Sequence, residues 1–143
     1  MGIPLIIYFS SITENTKTFI ERLPFANERI PLRIKDLDVV ATKPYVLATP
    51  TYGGGRDEAL VPKQVMRFLS RKENRELCIG IIGGGNRLFG AHYALAADHL
   101  SKRLGVPVLA RFEVRGMLSD VNYVTKGLSE NWDNLLALRG LTN

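Results

Sequence analysis

Short apolar runs alternate along this chain with segments in which apolar residues recur at helical spacing, and that alternation limits it to an α/β fold. The predicted strands cover residues 4–9, 29–34, 45–50, 77–82 and 106–114. The first predicted helix begins near residue 14 or 15. Three further helices are predicted over 61–69, 93–104 and 121–138. At 143 residues the chain fits one domain, residues 1–143. We therefore expect a five-stranded parallel sheet with helices on both faces.

Composition and charge narrow the classes of partner. No apolar run approaches the roughly 18 residues of a membrane span, and the amino terminus enters a strand without a signal-peptide pattern. The single cysteine, Cys78, cannot form an internal disulfide, which fits the reducing cytoplasm. The net charge of +5 comes from scattered basic residues without interleaved aromatic residues. We expect a cytoplasmic protein with no membrane or nucleic-acid partner and favour an acidic protein partner, with a merely soluble surface as the alternative.

The first predicted strand is followed by an excess of short polar side chains. They occupy five of seven positions, namely Ser10, Ser11, Thr13, Asn15 and Thr16. One or two would suffice to cap the helix that follows, so the excess favours a phosphate cradle built from hydroxyl groups and backbone N–H groups. Glu14 opposes this interpretation, since a carboxylate repels a phosphate unless it points to solvent.

Two runs of three glycines follow the third and fourth predicted strands. They are Gly53–Gly55, preceded by Thr49-Pro50-Thr51-Tyr52, and Gly83–Gly85, followed by Asn86-Arg87-Leu88-Phe89-Gly90. All three polar or glycine-rich loops are thus expected at the carboxyl edge of the sheet, where α/β folds bind ligands. Glycine permits positive φ and close approach of backbone amides to a flat ligand, and Tyr52 and Phe89 offer aromatic faces. A flexible turn explains either run alone, but not both beside a phosphate cradle.

Other phosphate-binding motifs do not fit. Neither glycine run has the third glycine of the dinucleotide fingerprint, and no aspartate ends the third strand as in a receiver domain. The spacing from Gly80 to Gly85 resembles a P-loop, but Asn86 stands where lysine is needed. His92 and His99 lack an accompanying set of carboxylates or thiolates, so we expect no metal site. The remaining ligand with one terminal phosphate and a flat ring system is flavin mononucleotide (FMN).

These motifs resemble the flavodoxin superfamily and, more narrowly, the NrdI family of flavoproteins, over nearly the whole chain. The matching segments are Tyr8-Phe9-Ser10-Ser11, Glu14-Asn15-Thr16, Pro50-Thr51-Tyr52-Gly53-Gly54-Gly55, Val61-Pro62 with Gln64-Val65, Gly85-Asn86-Arg87 with Phe89-Gly90, Gly105-Val106-Pro107, and Arg111-Phe112-Glu113 with Gly116. Ordinary flavodoxins do not share the combination of the Thr51–Gly55 and Asn86–Gly90 segments. Two positions depart from commoner forms of the family, since Glu14 replaces glycine and Gly84 replaces serine.

The resemblance implies a flavodoxin-like three-layer α/β/α sandwich whose five-stranded parallel sheet has the order 2-1-3-4-5. It implies an FMN-containing redox protein that activates class Ib ribonucleotide reductase, a redox partner rather than a conventional substrate-turnover enzyme. The reduced flavin would convert dioxygen to superoxide for assembly of the dimanganese–tyrosyl radical cofactor in the reductase small subunit. Electrons would come from a flavin reductase or another donor. No catalytic side chain is expected, because the cofactor carries the chemistry.

The same resemblance assigns the phosphate to the first loop and the isoalloxazine ring to the two glycine runs. The expected FMN-binding residues are Ser10, Ser11, Thr13, Glu14, Asn15, Thr16, Pro50, Thr51, Tyr52, Gly53, Gly54, Gly55, Gly83, Gly84, Gly85, Asn86, Phe89, Gly90 and Glu113. Among these, Glu113 is expected near the rim that faces a protein partner.

Two other functions stay open. The first is a general flavodoxin that shuttles single electrons, although ordinary flavodoxins are strongly acidic and this chain is basic. The second is a non-enzymatic α/β binding module whose glycine-rich loops hold a different phosphate ligand or none. Reaction of the reduced protein with dioxygen distinguishes the first alternative, and purification without bound flavin favours the second.

Overall fold

Five parallel strands form one sheet within the part of the chain that the computed structural model describes, which is residues 3–33, 35, 39–52, 60–88 and 93–141. The strands are β1 (Leu5–Tyr8), β2 (Ala26–Arg29), β3 (Tyr45–Pro50), β4 (Cys78–Gly85) and β5 (Val108–Glu113). The helices are α1 (Asn15–Glu21), α2 (Lys63–Phe68), α3 (Lys72–Glu76), α4 (Leu95–Leu104) and α5 (Leu118–Leu138). The strand order is β2-β1-β3-β4-β5, which confirms the order expected from the resemblance.

Helices cover both faces of the sheet, and successive strand residues divide between them. Ile6 and Val46 point into a core shared with α1 and α5, whereas their neighbours Ile7 and Leu47 point into a core shared with α2 and α4. This alternation follows from the two-residue period of a strand. The central strands are consequently buried on both sides, and the α/β/α sandwich is confirmed.

The second strand lies earlier in the chain than its sequence pattern predicts, so the prediction of a strand over 29–34 is wrong. β2 pairs in parallel with β1, from Leu5 opposite Ala26 to Tyr8 opposite Arg29. The Ile30 N–H donates the last hydrogen bond to the Tyr8 carbonyl at 2.7 Å, and the next residue is a proline without an N–H. The sequence pattern does not predict this strand because Asn27, Glu28 and Arg29 are polar and the strand is mostly exposed, as suits a short edge strand.

The second glycine run belongs to a strand and not to a loop, contrary to the sequence prediction. β4 continues through Gly83, Gly84 and Gly85, and none of the three has positive φ. A Cβ at Gly83 would lie 2.6 Å from Cβ of Ala97, and one at Gly84 would lie 2.7 Å from Cζ of Phe112. These glycines are therefore required by the close approach of neighbouring elements, and a serine at position 84 needs the Phe112 ring to move.

The ends of the helices differ from the predicted ones by a few residues. α5 begins at Leu118, three residues before the predicted start, because the Asp120 carboxylate accepts a hydrogen bond from the Met117 N–H at 2.8 Å. The short helix α3 had not been predicted from the sequence. Among the described residues, no helix combines the length and apolar character needed to cross a lipid bilayer.

Arg139, directly after α5, connects three elements at the edge of the sheet where the strands begin. Its guanidinium donates to the carbonyls of Cys78 at 3.1 Å, Leu104 at 3.1 Å and Arg75 at 2.9 Å. These carbonyls belong to the start of β4, the end of α4 and α3. A single side chain thus closes the edge opposite to the predicted site.

Candidate functional site

The segments that follow β1, β3 and β4 leave the sheet side by side. Tyr8 is in register with Ala48, and Pro50 is in register with Gly84, so the carboxyl ends of these neighbouring strands lie along one edge. The chain reverses its direction of winding between β1 and β3, which is where open α/β sheets form a ligand crevice. The structure therefore brings the first loop and the residues directly after β3 and β4 to the carboxyl edge of the sheet, as the sequence predicts.

The first loop, residues 9–14, is closed by hydrogen bonds of its own. The buried Oγ of Ser10 accepts from the Lys17 N–H at 3.0 Å, and the Glu14 N–H donates to the Ser11 carbonyl at 2.9 Å. The hydroxyl groups of Ser11 and Thr13 lie 2.9 Å apart on the exposed side of the turn. The loop therefore keeps a fixed shape and presents two adjacent hydroxyl groups to solvent.

Only part of the predicted polar set is accessible. Ser10 and Thr16 are 0% and 2% exposed, so their side chains serve the local structure. Asn15 is half-buried at the first position of α1, beside the exposed Thr13. The groups able to meet an anion are thus Ser11, Thr13, Asn15 and nearby backbone N–H groups.

Glu14 turns its carboxylate onto Arg29. The two guanidinium nitrogens of Arg29 donate to the two carboxylate oxygens at 2.5 and 3.1 Å, and Lys17 Nζ lies 3.6 Å from the same carboxylate. The hydrogen bond from Arg29 is the main reason that the pKa of Glu14 is lowered from its ordinary value. Two cations accompany one anion here, so the group as a whole attracts a phosphate despite the glutamate.

The second segment is anchored before its glycines begin. The Thr51 N–H donates to the Gly84 carbonyl at 3.0 Å, and Thr51 Oγ1 accepts from the Ala96 N–H at 3.1 Å, which joins β3 to the first turn of α4. The half-buried Tyr52 ring meets Phe9 edge-on, with ring centroids 6.5 Å apart. Burial raises the pKa of the Tyr52 hydroxyl. The predicted residues Gly53, Gly54 and Gly55 lie outside the described residues.

The third segment is held by Glu113, the last residue of β5. Its carboxylate accepts a hydrogen bond from the Arg87 N–H at 3.0 Å and lies 3.6 Å from Nε of Arg87. The Arg87 guanidinium lies over the Tyr93 ring, 5.0 Å from its centroid. Asn86 Oδ1 accepts from the Leu88 N–H at 2.9 Å. Glu113 thus supports the loop in the structure, and the predicted residues Phe89 and Gly90 lie outside the described part of the chain.

Backbone strain concentrates at the same edge. Three described residues other than glycine have positive φ, namely Glu14 at 62°, Ala94 at 53° and Val114 at 56°. Each lies in a segment that follows the carboxyl end of a strand. Such conformations cost about 1–3 kcal/mol each and cluster at functional sites. Glycine at position 14 would avoid this cost, because it has no Cβ.

Sequence reasoning did not assign roles at the site to Arg29, Arg87 or Tyr93. The sequence pattern predicts Arg29 at the start of a strand, whereas it is the last residue of β2, and its position beside the first loop follows only from that register. Arg87 and Tyr93 are in contact in the folded chain, and no spacing pattern in the sequence predicts that contact. The one sequence feature that indicates a role for Arg87 is its position close after the second glycine run.

The described side chains form no evident nucleophilic or metal-binding centre. No group of three or more histidine, cysteine, aspartate or glutamate residues with metal-binding geometry occurs among the residues that the structure describes. Cys78 is fully buried, and burial raises the pKa of its thiol to about 11, so little thiolate forms at neutral pH. The arrangement is suited to holding a ligand with an anionic group at the first loop.

Two relatives resemble this chain over most of its length. A family model described as "NrdI Flavodoxin like" matches residues 7–126. Protein NrdI of Mycoplasma mycoides subsp. mycoides SC is 44% identical over 136 residues, which are 94% of this chain and 86% of that protein. Protein NrdI of Escherichia coli O9:H4 is 46% identical over 127 residues, which are 89% of this chain and 93% of that protein.

Solved structures support the fold. A short-chain flavodoxin associated with a bacterial microcompartment superimposes with a TM-score of 0.59 at 15% identity, covering 92% of this chain and 99% of its own. Rubredoxin oxygen:oxidoreductase from Desulfovibrio gigas has a TM-score of 0.59 at 13% identity, covering 94% of this chain and 36% of its own. At such identities the likeness shows the fold alone. Together with the family match, these findings show that the chain belongs to the NrdI family of flavodoxin-like flavoproteins.

Proposed function

We propose that this chain is an FMN-containing redox protein that activates class Ib ribonucleotide reductase. When bound, FMN would supply electrons to dioxygen, giving superoxide for assembly of the dimanganese–tyrosyl radical cofactor in the reductase small subunit. Membership of the NrdI family carries the proposal, and the three adjoining segments at one edge of the sheet support it. The protein acts in this proposal as a redox partner or activator rather than as a conventional substrate-turnover enzyme.

The first loop fits the phosphate of FMN. Ser11 and Thr13 present adjacent hydroxyl groups, and the backbone of the loop is already fixed by Ser10. Hydrogen bonds to a charged oxygen are stronger than those between neutral groups. Lys17 and Arg29 outweigh the Glu14 carboxylate, so the local charge favours an anion. The proposed phosphate ligands are therefore the exposed polar groups of residues 11–15 and their N–H groups.

The segments after β3 and β4 fit the isoalloxazine ring. Tyr52 offers a half-buried ring face that Phe9 keeps in place. Gly84 and Gly85 bring backbone close to this edge without side chains, while Asn86 and Glu113 fix the segment that follows. We propose that these residues orient the ring and exclude water from one side of it. The same proposal extends to Pro50, Thr51, Gly53, Gly54, Gly55, Gly83, Phe89 and Gly90.

Charge favours an acidic protein partner. The chain carries a net charge of +5, whereas ordinary flavodoxins that shuttle single electrons are acidic. Complementary charge speeds association and sets orientation. We propose the small subunit of the reductase as the partner, a flavin reductase or another donor as the source of electrons, and dioxygen as the acceptor. A cytoplasmic location belongs to the same proposal, because the free thiol of Cys78 suits a reducing compartment.

The visible spectrum of the purified protein, taken before and after anaerobic reduction, tests the proposal first. The reduced protein is then exposed to dioxygen with a superoxide probe, and manganese-loaded small subunit is assayed for tyrosyl radical in parallel. Bound flavin, superoxide release and radical formation together support the proposal. Bound flavin without superoxide release favours the general flavodoxin, and a protein that takes up no FMN favours the binding module.

A further inference from the structure

Glu14 has a strained backbone conformation that other contacts must stabilise. Its φ of 62° lies in the left-handed region, which is strained for a residue with a Cβ. The residue stands between the first loop and α1, and its own side chain does not cap that helix. A carboxylate at this point also opposes an incoming phosphate. Something in the structure must hold Glu14 in place and turn its charge away from the loop.

Arg29 meets both requirements. Its Nη1 and Nη2 donate to the two oxygens of Glu14 at 3.1 and 2.5 Å, and Nη2 donates to the Ser10 carbonyl at 3.1 Å. The guanidinium therefore connects Ser10, near the start of the first loop, to Glu14 at its end. The paired side chains are 29% and 40% exposed, so solvent screens the contact only in part.

The sheet, and not the loop, determines the position of Arg29. The residue ends β2 in register with Tyr8 of β1, and the Ile30 N–H that follows donates to the Tyr8 carbonyl. Ile30 itself is fully buried. Arg29 thus projects from a fixed base across the open end of β1, where the first loop begins.

We propose that Arg29 is a positioning residue for the phosphate-binding loop, acting through a Glu14–Arg29–Ser10 latch. The latch fixes the ends of the turn so that the hydroxyl groups of Ser11 and Thr13 face the phosphate, and it neutralises the carboxylate of Glu14. The inference rests on the proposed binding of FMN. It goes beyond that proposal because Arg29 is not itself a phosphate ligand in it.

A comparison of two flavins tests the latch. FMN and riboflavin share the ring, but only FMN carries the phosphate. The dissociation constant of each is measured by quenching of flavin fluorescence at fixed ionic strength. Arg29→Gln is expected to weaken FMN binding about tenfold, the scale of charged hydrogen bonds, and to change riboflavin binding less than about twofold. A merely structural role of Arg29 would weaken both alike.

The double-mutant cycle separates the latch from a simple charge effect. In the latch, Glu14→Gln also weakens FMN binding, and the double variant Glu14→Gln/Arg29→Gln is no worse than Arg29→Gln alone. If Arg29 acted only as a positive charge, Glu14→Gln would tighten FMN binding and the two effects would add. Arg29→Lys keeps the charge but not the two-pronged contact, so its affinity should fall between those of the wild type and Arg29→Gln.

A remote ion pair provides the matched control. Lys72→Gln removes the same unit of charge and breaks the Lys72–Glu76 pair of α3, at the opposite edge of the sheet, and is expected to leave both affinities unchanged. Should Arg29→Gln fail to fold, Arg29→Lys decides between the outcomes. Equal FMN affinity of the wild type and the Arg29 variants would overturn the latch, whereas a wild type that binds no FMN would overturn the proposed function itself.

Discussion

Gly116 lies so close to the ring of Phe19 that a Cβ on it would stand 2.5 Å from Cδ1. The Phe19 ring in turn stacks on Phe112 with centroids 4.1 Å apart, and Arg22 donates to the Gly116 carbonyl at 3.0 Å. Helix α1, which begins at the first loop, is therefore packed directly against the turn that follows β5. Two regions of the candidate site share one tightly packed contact.

Gly116→Ala should destabilise the fold more than Gly140→Ala does. Both glycines have similar φ, +76° and +74°, but only Gly116 has a neighbour within reach of a Cβ. The Gly140 variant is expected to lose about 1–2 kcal/mol from left-handed strain alone. The Gly116 variant should lose about 1–3 kcal/mol more through overpacking against Phe19. Urea unfolding of both variants measures the difference, and equal losses would show that Phe19 moves without cost.

Gly83→Ala should lower the free energy of unfolding by about 1–3 kcal/mol, because its Cβ would meet the Cβ of Ala97. Ala97→Gly in the same chain should recover part of that loss by reopening the space, despite the helix propensity that glycine lacks. Gly127→Ala is the control, since nothing lies within 4 Å of its Cβ position and alanine favours the helix. A loss in Gly83→Ala that Ala97→Gly does not reduce would contradict the contact.

Stability should fall between pH 9 and pH 11 in a way that depends on Cys78. Burial raises the pKa of its thiol from 9.0 to about 11, so within this window the unfolded chain releases a proton that the folded chain keeps. The unfolded state then binds fewer protons, and stability declines as pH rises, by about 1–3 kcal/mol over the window. Cys78→Ala should show a shallower decline in denaturant unfolding series. An unchanged slope would mean that the thiol does not contribute.

The two one-electron reduction potentials of the flavin-loaded protein should lie closer together than those of an acidic flavodoxin. A positive charge about 10 Å away at an effective dielectric constant of about 40 stabilises an added electron by roughly 0.8 kcal/mol, or some tens of millivolts. The net charge of +5 adds several such contributions. Spectroscopic redox titration at low and high salt measures the gap, which should widen as salt screens the charges. A gap as wide as that of a typical flavodoxin would contradict this expectation.

The apolar strands were predictable from sequence, and the edge strand was not. Ile6, Ile7, Val46 and Leu47 lie in continuous apolar runs because helices cover both faces of the sheet. The residues of β2 are mostly polar and mostly exposed, and they form a strand by pairing with β1. Tertiary pairing of this kind leaves no periodic signal in the sequence.

The general location of the site could be predicted from the sequence. Its loops follow strands, so topology alone brings Ser11, Tyr52 and Asn86 to one edge. Which members of each loop face outward depends on packing that the sequence does not display. Ser10 and Thr16 carry the right chemistry but are buried, and Gly83 is glycine because a helix lies against it.

The contacts of Arg139 make the edge at which the strands begin sensitive to substitution. Since one guanidinium binds carbonyls of three elements at the strand starts, any substitution there disturbs all three together. The opposite edge is joined by contacts between pairs of segments, namely Thr51 with α4, Glu113 with Arg87, and Gly116 with Phe19, so a change in one segment reaches its direct neighbour. Adaptation of this scaffold to a new protein partner should therefore change contacting segments of that edge together, while the contacts of Arg139 stay constant.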